Sequence, residues 1–174
     1  MRRRFMLAAL VLMVACGKST TSPSPTGGSP GGSSNGNGST LSAVIDGVTW
    51  NHPNVTARYS TANPPYLEVD SIDSANNLFG FLIRRFGANT GDLAPGTYEI
   101  GPTNSNANFI TVGGTPSWTA SPGVAGIPAK GSGSVVLTSF SKTAGTASGT
   151  FSFVLAGASS MKTVTNGAFN VKFN

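Results

Sequence analysis

Short segments in which apolar and polar residues alternate, broken by Gly, Pro, Asn and Asp, fill the chain from Leu41 to Asn174. The alternation is clearest at Phe151, Phe153 and Leu155, which occupy every second position of one segment. A period of two is typical of a β-strand with one face on a core and the other in water. Helical periodicity is almost absent. The sequence therefore predicts an all-β fold, a single antiparallel β-sandwich or barrel-like domain of about eight to ten strands.

Two local features predict how the first half of this domain is organised. Asp46-Gly47 separates two short apolar runs and predicts a two-residue hairpin turn. Leu78–Phe86 carries apolar residues on both faces, with Phe79 and Phe81 on one of them. A strand that is apolar on both faces is normally covered on both sides, so we expect this strand to be central.

The last third of the chain predicts a three-stranded meander. Its strands are expected at Ser134–Phe140, Gly149–Leu155 and Met161–Phe173, where the alternation is regular. A shorter strand is expected before it, at Phe109–Val112. The intervening segment Thr115–Lys130 contains three prolines and is predicted to be a long loop.

The first fifteen residues, 1–15, have the plan of a secretory signal peptide. Arginines at positions 2, 3 and 4 are followed by the apolar run Phe5–Ala15. At about 1.5 Å per residue, this run would cross only about 17 Å of a hydrocarbon layer about 30 Å thick. It is therefore too short for a transmembrane helix.

Cys16 is the only cysteine of the chain, and it follows the apolar run directly. The stretch Leu12–Gly17 resembles a bacterial lipobox, in which small or apolar residues precede an obligatory cysteine. The resemblance implies that Cys16 carries a diacylglycerol on its sulfur and that the leader is cut between Ala15 and Cys16. The alternative is a cysteine that merely occurs in an apolar leader. A lone thiol cannot form an internal disulfide, and several acyl chains would hold the protein firmly at a membrane.

Residues 16–40 are predicted to be a disordered linker behind the lipidated cysteine. The segment consists of Ser, Thr, Gly, Pro and Asn with Lys18 as its only charge, so it has no apolar side chains to bury. Its reach is about 25–30 Å. The predicted organisation is thus a leader at 1–15, an anchor and linker at 16–40, and a β-domain at 41–174.

The net charge of +5 and the pI near 9.8 do not indicate a nucleic-acid partner. Three of the eleven cations leave with the predicted leader, so eight cations remain against six acids, a net charge of +2. The β-domain has seven cations against the same six acids, a net charge of +1, and no basic cluster. Phosphate backbones are bound by clustered Lys and Arg, so binding to nucleic acid is excluded.

Four motifs of this domain recur in the same order in a known group of proteins. They are Ile45–Trp50, Pro95–Tyr98, Ser148–Phe151 and Thr165–Phe169. By these motifs the chain resembles a family of uncharacterised bacterial lipoproteins that is classed only as a domain of unknown function. The resemblance implies a β-rich exported domain and no particular activity. Physically, the glycines of these motifs supply turn conformations, and the aromatic residues that follow them enter the core.

No arrangement of residues in the sequence predicts catalysis. His52 is the only histidine, and no Gly-x-Ser-x-Gly motif accompanies it. Asp70 and Asp73 carry the oxygen ligands that calcium accepts, but their spacing matches no EF-hand and an Asx turn explains it equally well. Glu68 and Asp70 alternate to one face of a strand, which we expect to be solvated. We predict no catalytic residue, no metal and no cofactor.

Trp118 is the one candidate for ligand binding. Together with Asn104, Asn106 and Asn108 it predicts a glycan platform, because aromatic rings stack on sugars and amides bond their hydroxyl groups. The alternative is a tryptophan that covers an open edge of the core.

These features predict a non-catalytic, lipid-anchored protein of the bacterial cell envelope that serves as a structural or interaction module. The alternative is a lipoprotein that binds a glycan or a small apolar ligand. The expected partners are the membrane, through Cys16, and a glycan or protein of the envelope. We expect a monomer. The resemblance to lipoproteins implies the outer rather than the inner membrane, because Gly17 is not the aspartate that retains some lipoproteins at the inner membrane. The domain would face the periplasm or the cell surface.

Overall fold

The computed structural model describes residues 38–85, 91–100, 105–110, 116–122 and 128–174, with 105–110 described as backbone only. The predictions for residues 1–37, which include Cys16, lie outside the described residues, and so does Asn104. The described part of the chain contains no helix long and apolar enough to cross a membrane.

The described residues form eleven β-strands, and all of their pairings are antiparallel. This confirms the prediction of an all-β antiparallel fold. The strands are β1 (Thr40–Ile45), β2 (Val48–Asn51), β3 (Asn54–Ser60), β4 (Tyr66–Ile72), β5 (Leu78–Arg84), β6 (Gly96–Ile100), β7 (Ser105–Ile110), β8 (Ser117–Ala120), β9 (Ser132–Ser141), β10 (Thr146–Ala156) and β11 (Met161–Lys172).

The strands pack as two layers of a sandwich that are connected at one strand, β10. One layer has the order β2-β1-β11-β10-β9-β6, and the other has the order β8-β7-β5-β4-β3. Strand β10 pairs with β9 over most of its length, and its last residue, Ala156, pairs with Thr119 of β8. The two layers are therefore joined through the end of β10.

The predicted meander and hairpin are both present. Strands β9, β10 and β11 pair in sequence order. Strand β11 has a β-bulge between Val164 and Ala168, where its pairing with both β10 and β1 shifts by one residue. Asp46 and Gly47 connect β1 to β2 with φ angles of 49° and 83°. Positive φ at both central residues is the requirement of the tight hairpin turn that Asp-Gly favours.

Strand β5 is central, as its sequence predicts. It pairs with β4 on one side and with β7 on the other. Phe79, Phe81 and Ile83 are buried on its inner face, while Leu78 and Leu82 are half-buried on its outer face. Strand β7 begins at Ser105, earlier than the predicted start at Phe109, because it pairs with β5 from Leu78 to Ile83.

The core between the layers is a cluster of phenylalanine rings. The Phe151 ring lies 5.2 Å from that of Phe81, 5.3 Å from that of Phe153 and 5.7 Å from that of Phe79. Phe169 of β11 lies 5.2 Å from Phe81 across the layers. Because each ring buries a large apolar area, this cluster holds one layer on the other.

The prediction of a long loop at Thr115–Lys130 is wrong for part of that segment. Ser117–Ala120 forms β8, which pairs with β7 and with the end of β10. Pro116 and Pro122 lie on either side of this strand. A proline prevents pairing only where its missing N–H is needed, so the two prolines bound the strand instead of excluding it.

The sandwich has two ends that differ in what they contain. At the end where β1 begins, Ser39 is fully buried and its hydroxyl accepts a bond of 3.0 Å from the Lys172 amide. We call this the Ser39 end; it also contains the β9–β10 turn, Lys142–Gly145, which bonds the amide of Phe173. The opposite end, which we call the Trp118 end, contains the Asp46–Gly47 turn and the β10–β11 turn at Gly157–Ser160.

Replacing Phe151 with alanine tests whether the aromatic cluster carries the fold. We expect Phe151→Ala to lower the free energy of unfolding by about 3–5 kcal/mol, because it removes a ring in contact with both layers and leaves a cavity. Urea denaturation of the full chain measures the loss. The matched control is Ser152→Ala, at the next and exposed position of β10, which should change stability by less than about 0.5 kcal/mol. Equal losses in both variants would contradict the importance of the cluster.

Candidate functional site

Trp118 lies in β8 at the edge of the core. It pairs with Phe109 of β7, which in turn pairs with Phe79 of β5. This register assigns Trp118 to the inner face of its layer, where its half-buried ring packs against the core residues. The alternative stated from the sequence, a tryptophan that covers an edge of the core, describes this position.

The indole of Trp118 is held by the β10–β11 turn. Its Nε1 donates a hydrogen bond of 2.8 Å to the Ser160 hydroxyl. Gly157 lies against the ring so closely that a Cβ added there would be 2.7 Å from both Cδ1 and Nε1 of the indole. A side chain at position 157 would therefore push the ring away, and glycine is required.

A lysine links this tryptophan to the β1–β2 turn. The Lys162 ammonium lies 4.6 Å from the centre of the Trp118 ring and donates a bond of 3.0 Å to Oδ2 of Asp46. The other carboxylate oxygen of Asp46 accepts a bond of 2.8 Å from the Thr163 amide. That amide, more than Lys162, lowers the pKa of Asp46. One carboxylate, one cation and one indole thus join the two turns and β8.

Beside Trp118 is a groove with a volume of about 580 Å³. Ligand sites in proteins have volumes of about 300–1,000 Å³, so the groove is large enough for a small oligosaccharide. It combines an apolar wall with residues that carry hydroxyl groups and with one lysine, Lys130. Its lining residues are Pro116, Ser117, Trp118, Thr119, Lys130 and residues 156–160.

The asparagines predicted to act with Trp118 do not share its surface. Asn106 and Asn108 lie in β7 and pair with Leu82 and Gly80 of β5, and Asn108 also pairs with Thr119. Trp118 is one position away from Thr119, and neighbouring positions of a strand belong to opposite faces. The structure therefore does not bring Trp118 together with Asn106 and Asn108.

On the outer face of β4, the expectation that Glu68 and Asp70 are solvated is wrong for Asp70. Glu68 pairs with Arg58 at 3.0 Å. The Asp70 carboxylate is half-buried and lies over Gly80, where a Cβ would overlap it. This burial raises the pKa of Asp70 to about 6. The negative charge of Glu68 adds to the increase, and the positive charge of Arg58 opposes it.

Asp73 forms an Asx turn. Its Oδ1 accepts bonds of 2.8 Å and 2.7 Å from the amides of Ala75 and Asn77, and its Oδ2 accepts one of 2.7 Å from the Asn77 side chain. Both carboxylate oxygens are thus occupied by the turn itself. In the part of the chain that the structure describes, no three His, Cys, Asp or Glu side chains are grouped so that they could hold a metal ion.

A second cluster, which the sequence did not indicate, lies at the Ser39 end. The Tyr59 hydroxyl donates a bond of 2.7 Å to Asp92, and Lys142 donates bonds of 3.2 Å and 3.0 Å to the same carboxylate. Partial burial and this carboxylate raise the pKa of Tyr59 to about 12. The three residues come from distant segments, so no local pattern could have revealed them. Two of them, Tyr59 and Lys142, line a groove of about 460 Å³.

The domain matches a known family over nearly all of its length. Residues 37–171 match a domain of unknown function, DUF6252. The chain belongs to this family. The DUF6252 region contains all of the strands except the last residue of β11, and both grooves lie within or beside it. No curated protein and no solved structure matches the chain.

The raised pKa of Asp70 predicts how the stability of the DUF6252 domain depends on pH. Because its folded-state pKa is raised above the unfolded value, the folded state binds the proton more tightly, and the contribution of Asp70 to stability falls as pH rises from about 4 through about 6. We expect Asp70→Asn to remove this loss and to be more stable than the parent by about 1–2 kcal/mol at pH 7, after allowance for the partial exposure of Asp70.

Urea denaturation at a series of pH values measures this difference. The gain from Asp70→Asn should shrink as the pH approaches 4. The control Glu99→Gln removes an exposed carboxylate on β6 and measures how much of the change comes from the loss of one negative charge alone. A gain for Asp70→Asn that is the same at pH 4 and pH 7 would rule out the titration of Asp70 as its cause.

Proposed function

We propose that the protein is an exported envelope lipoprotein, anchored through Cys16, whose DUF6252 domain serves as a non-catalytic structural or interaction module. The observation that carries the proposal is the order of segments along the chain. A basic and apolar segment precedes a single cysteine, a polar segment follows it, and the β-strands of the described residues come after both. We further propose that it is located at the outer membrane, since the residue after Cys16 is Gly17 and not the aspartate that retains some lipoproteins at the inner membrane.

The way in which the chain enters the domain supports this role. Ser39 is buried and bonded to Lys172, and β1, which follows it, is paired with β2 on one side and β11 on the other. A force applied through the linker would therefore act on the β1–β2 and the β1–β11 hydrogen bonds at the same time. An interior strand at the point of attachment suits a domain that is held at a surface by its N-terminal segment.

The surroundings of the only histidine support a non-catalytic role. The His52 ring packs edge-on against Trp50 with 4.7 Å between the ring centres. Trp50 is itself buried and bonds the Ser71 hydroxyl at 3.3 Å. The imidazole thus packs against Trp50. The Ser71 hydroxyl accepts its hydrogen bond from the Trp50 indole and, in the described part of the chain, is not paired with a base that could activate it as a nucleophile.

A second candidate function, glycan binding, is favoured by the groove beside Trp118. The groove combines an apolar wall with several residues that carry hydroxyl groups and with Lys130. Carbohydrates offer the matching chemistry, since a sugar ring has apolar C–H faces and a rim of hydroxyl groups. The groove replaces the predicted platform of asparagines as the place where a glycan would bind.

Replacing Cys16 with serine tests the anchor. We expect Cys16→Ser to lose incorporation of labelled palmitate and to move from the membrane fraction to the soluble fraction, because the chain has no other cysteine to modify. The measurement is metabolic labelling combined with cell fractionation. Ser19→Ala, three residues further along the linker, is the control and should behave as the parent. Retention of both label and membrane association in Cys16→Ser would refute the anchor.

A further inference from the structure

We propose that the groove beside Trp118 binds a carbohydrate that carries a carboxylate, with Lys130 as the partner of that charge. The inference rests on the second candidate function, glycan binding, and specifies its ligand class. It follows from the charges that border the groove, from the side chains that line it and from its place in the sandwich.

Lys130 gives the groove a positive charge that the protein does not neutralise. The lysine is exposed and lines the groove. All six acidic residues lie in the described part of the chain, and none of them forms an ion pair with Lys130 or lines the groove. The other nearby cation, Lys162, is already paired with Asp46. The groove therefore carries one positive charge in excess, which favours an anionic ligand.

The rest of the lining supplies the contacts that a sugar needs. Ser117 and Ser159 line the groove and carry hydroxyl groups, and a hydroxyl group can both donate and accept a hydrogen bond. Trp118 and Pro116 form the apolar wall. The indole N–H bonds Ser160, so the hydroxyl groups of Ser117 and Ser159 and the ammonium of Lys130 supply the polar contacts to a sugar.

The position of the groove favours a soluble or polymeric sugar over a lipid headgroup. Thr146, at the start of β10, pairs with Lys172, which bonds Ser39; Ala156, at the other end of β10, lines the groove. The ten residue steps between them correspond to about 33 Å of extended strand. The groove thus lies at the end of the sandwich away from the proposed anchor, where it can face a ligand outside the membrane.

A matched pair of probes tests the proposal on the full chain. Trigalacturonic acid carries three carboxylates, and its methyl ester has the same sugar rings without the charges. We expect the acid to bind in isothermal titration calorimetry and the ester to bind about tenfold more weakly, because hydrogen bonds to charged groups are the stronger ones. Binding of the acid should also weaken as the salt concentration rises.

Lysine variants locate the binding charge. Lys130→Gln should weaken binding of the acid about tenfold and leave binding of the ester unchanged. Lys172→Gln, which removes an exposed lysine on β11 at the Ser39 end, is the matched control and should bind both probes as the parent does. An unchanged amide NMR spectrum away from position 130 would show that Lys130→Gln is folded.

The outcomes separate the two proposals. Equal binding of acid and ester, or no effect of Lys130→Gln, would overturn the carboxylate proposal and leave glycan binding standing. If neither the acid nor the ester binds, both the carboxylate proposal and glycan binding at this groove are overturned. Neither result bears on the lipid anchor, which the Cys16→Ser experiment tests separately.

Discussion

The contact of Phe151 with the phenylalanines of the facing layer is the interaction on which the rest of the structure depends. Strand β10 pairs with β9 and β11 in one layer and with β8 of the other, and its inner face carries Phe151 and Phe153. The same strand therefore joins the layers by hydrogen bonds at its end and by ring packing along its length. Since the single cysteine of the chain cannot form an internal disulfide, the stability of the domain depends on burial of these rings.

The polar clusters at the two ends fasten turns to this core. At the Trp118 end, Asp46, Lys162 and Trp118 join the β1–β2 turn to β11 and β8. At the Ser39 end, Asp92 links Tyr59 with Lys142. The first cluster also pairs Lys162 with Asp46, whereas Lys130, which lines the groove, forms no ion pair with an acidic side chain of the described residues. The same contacts thus fix the turns and define the surface proposed for binding.

Local patterns predicted the meander, the Asp46–Gly47 turn and the central β5, because each depends on alternation or turn chemistry within a few residues. They did not reveal β8, whose four residues become a strand only through pairing with β7 and β10. Nor could they assign Trp118 and the asparagines to opposite faces, since that depends on register between strands. The burial of Asp70 likewise depends on Gly80 of the neighbouring strand.

Hydrogen exchange measured by NMR tests the central claim most directly, because it reports the free energy of opening at each amide. If β10 and its phenylalanines hold the two layers together, the amides of Phe151 and Phe153 should exchange only on global unfolding and be among the slowest in the protein. The amides of the short edge strand β2 should exchange faster, through local opening. Exchange of the β10 amides at or above the rate of those in β2 would contradict the claim.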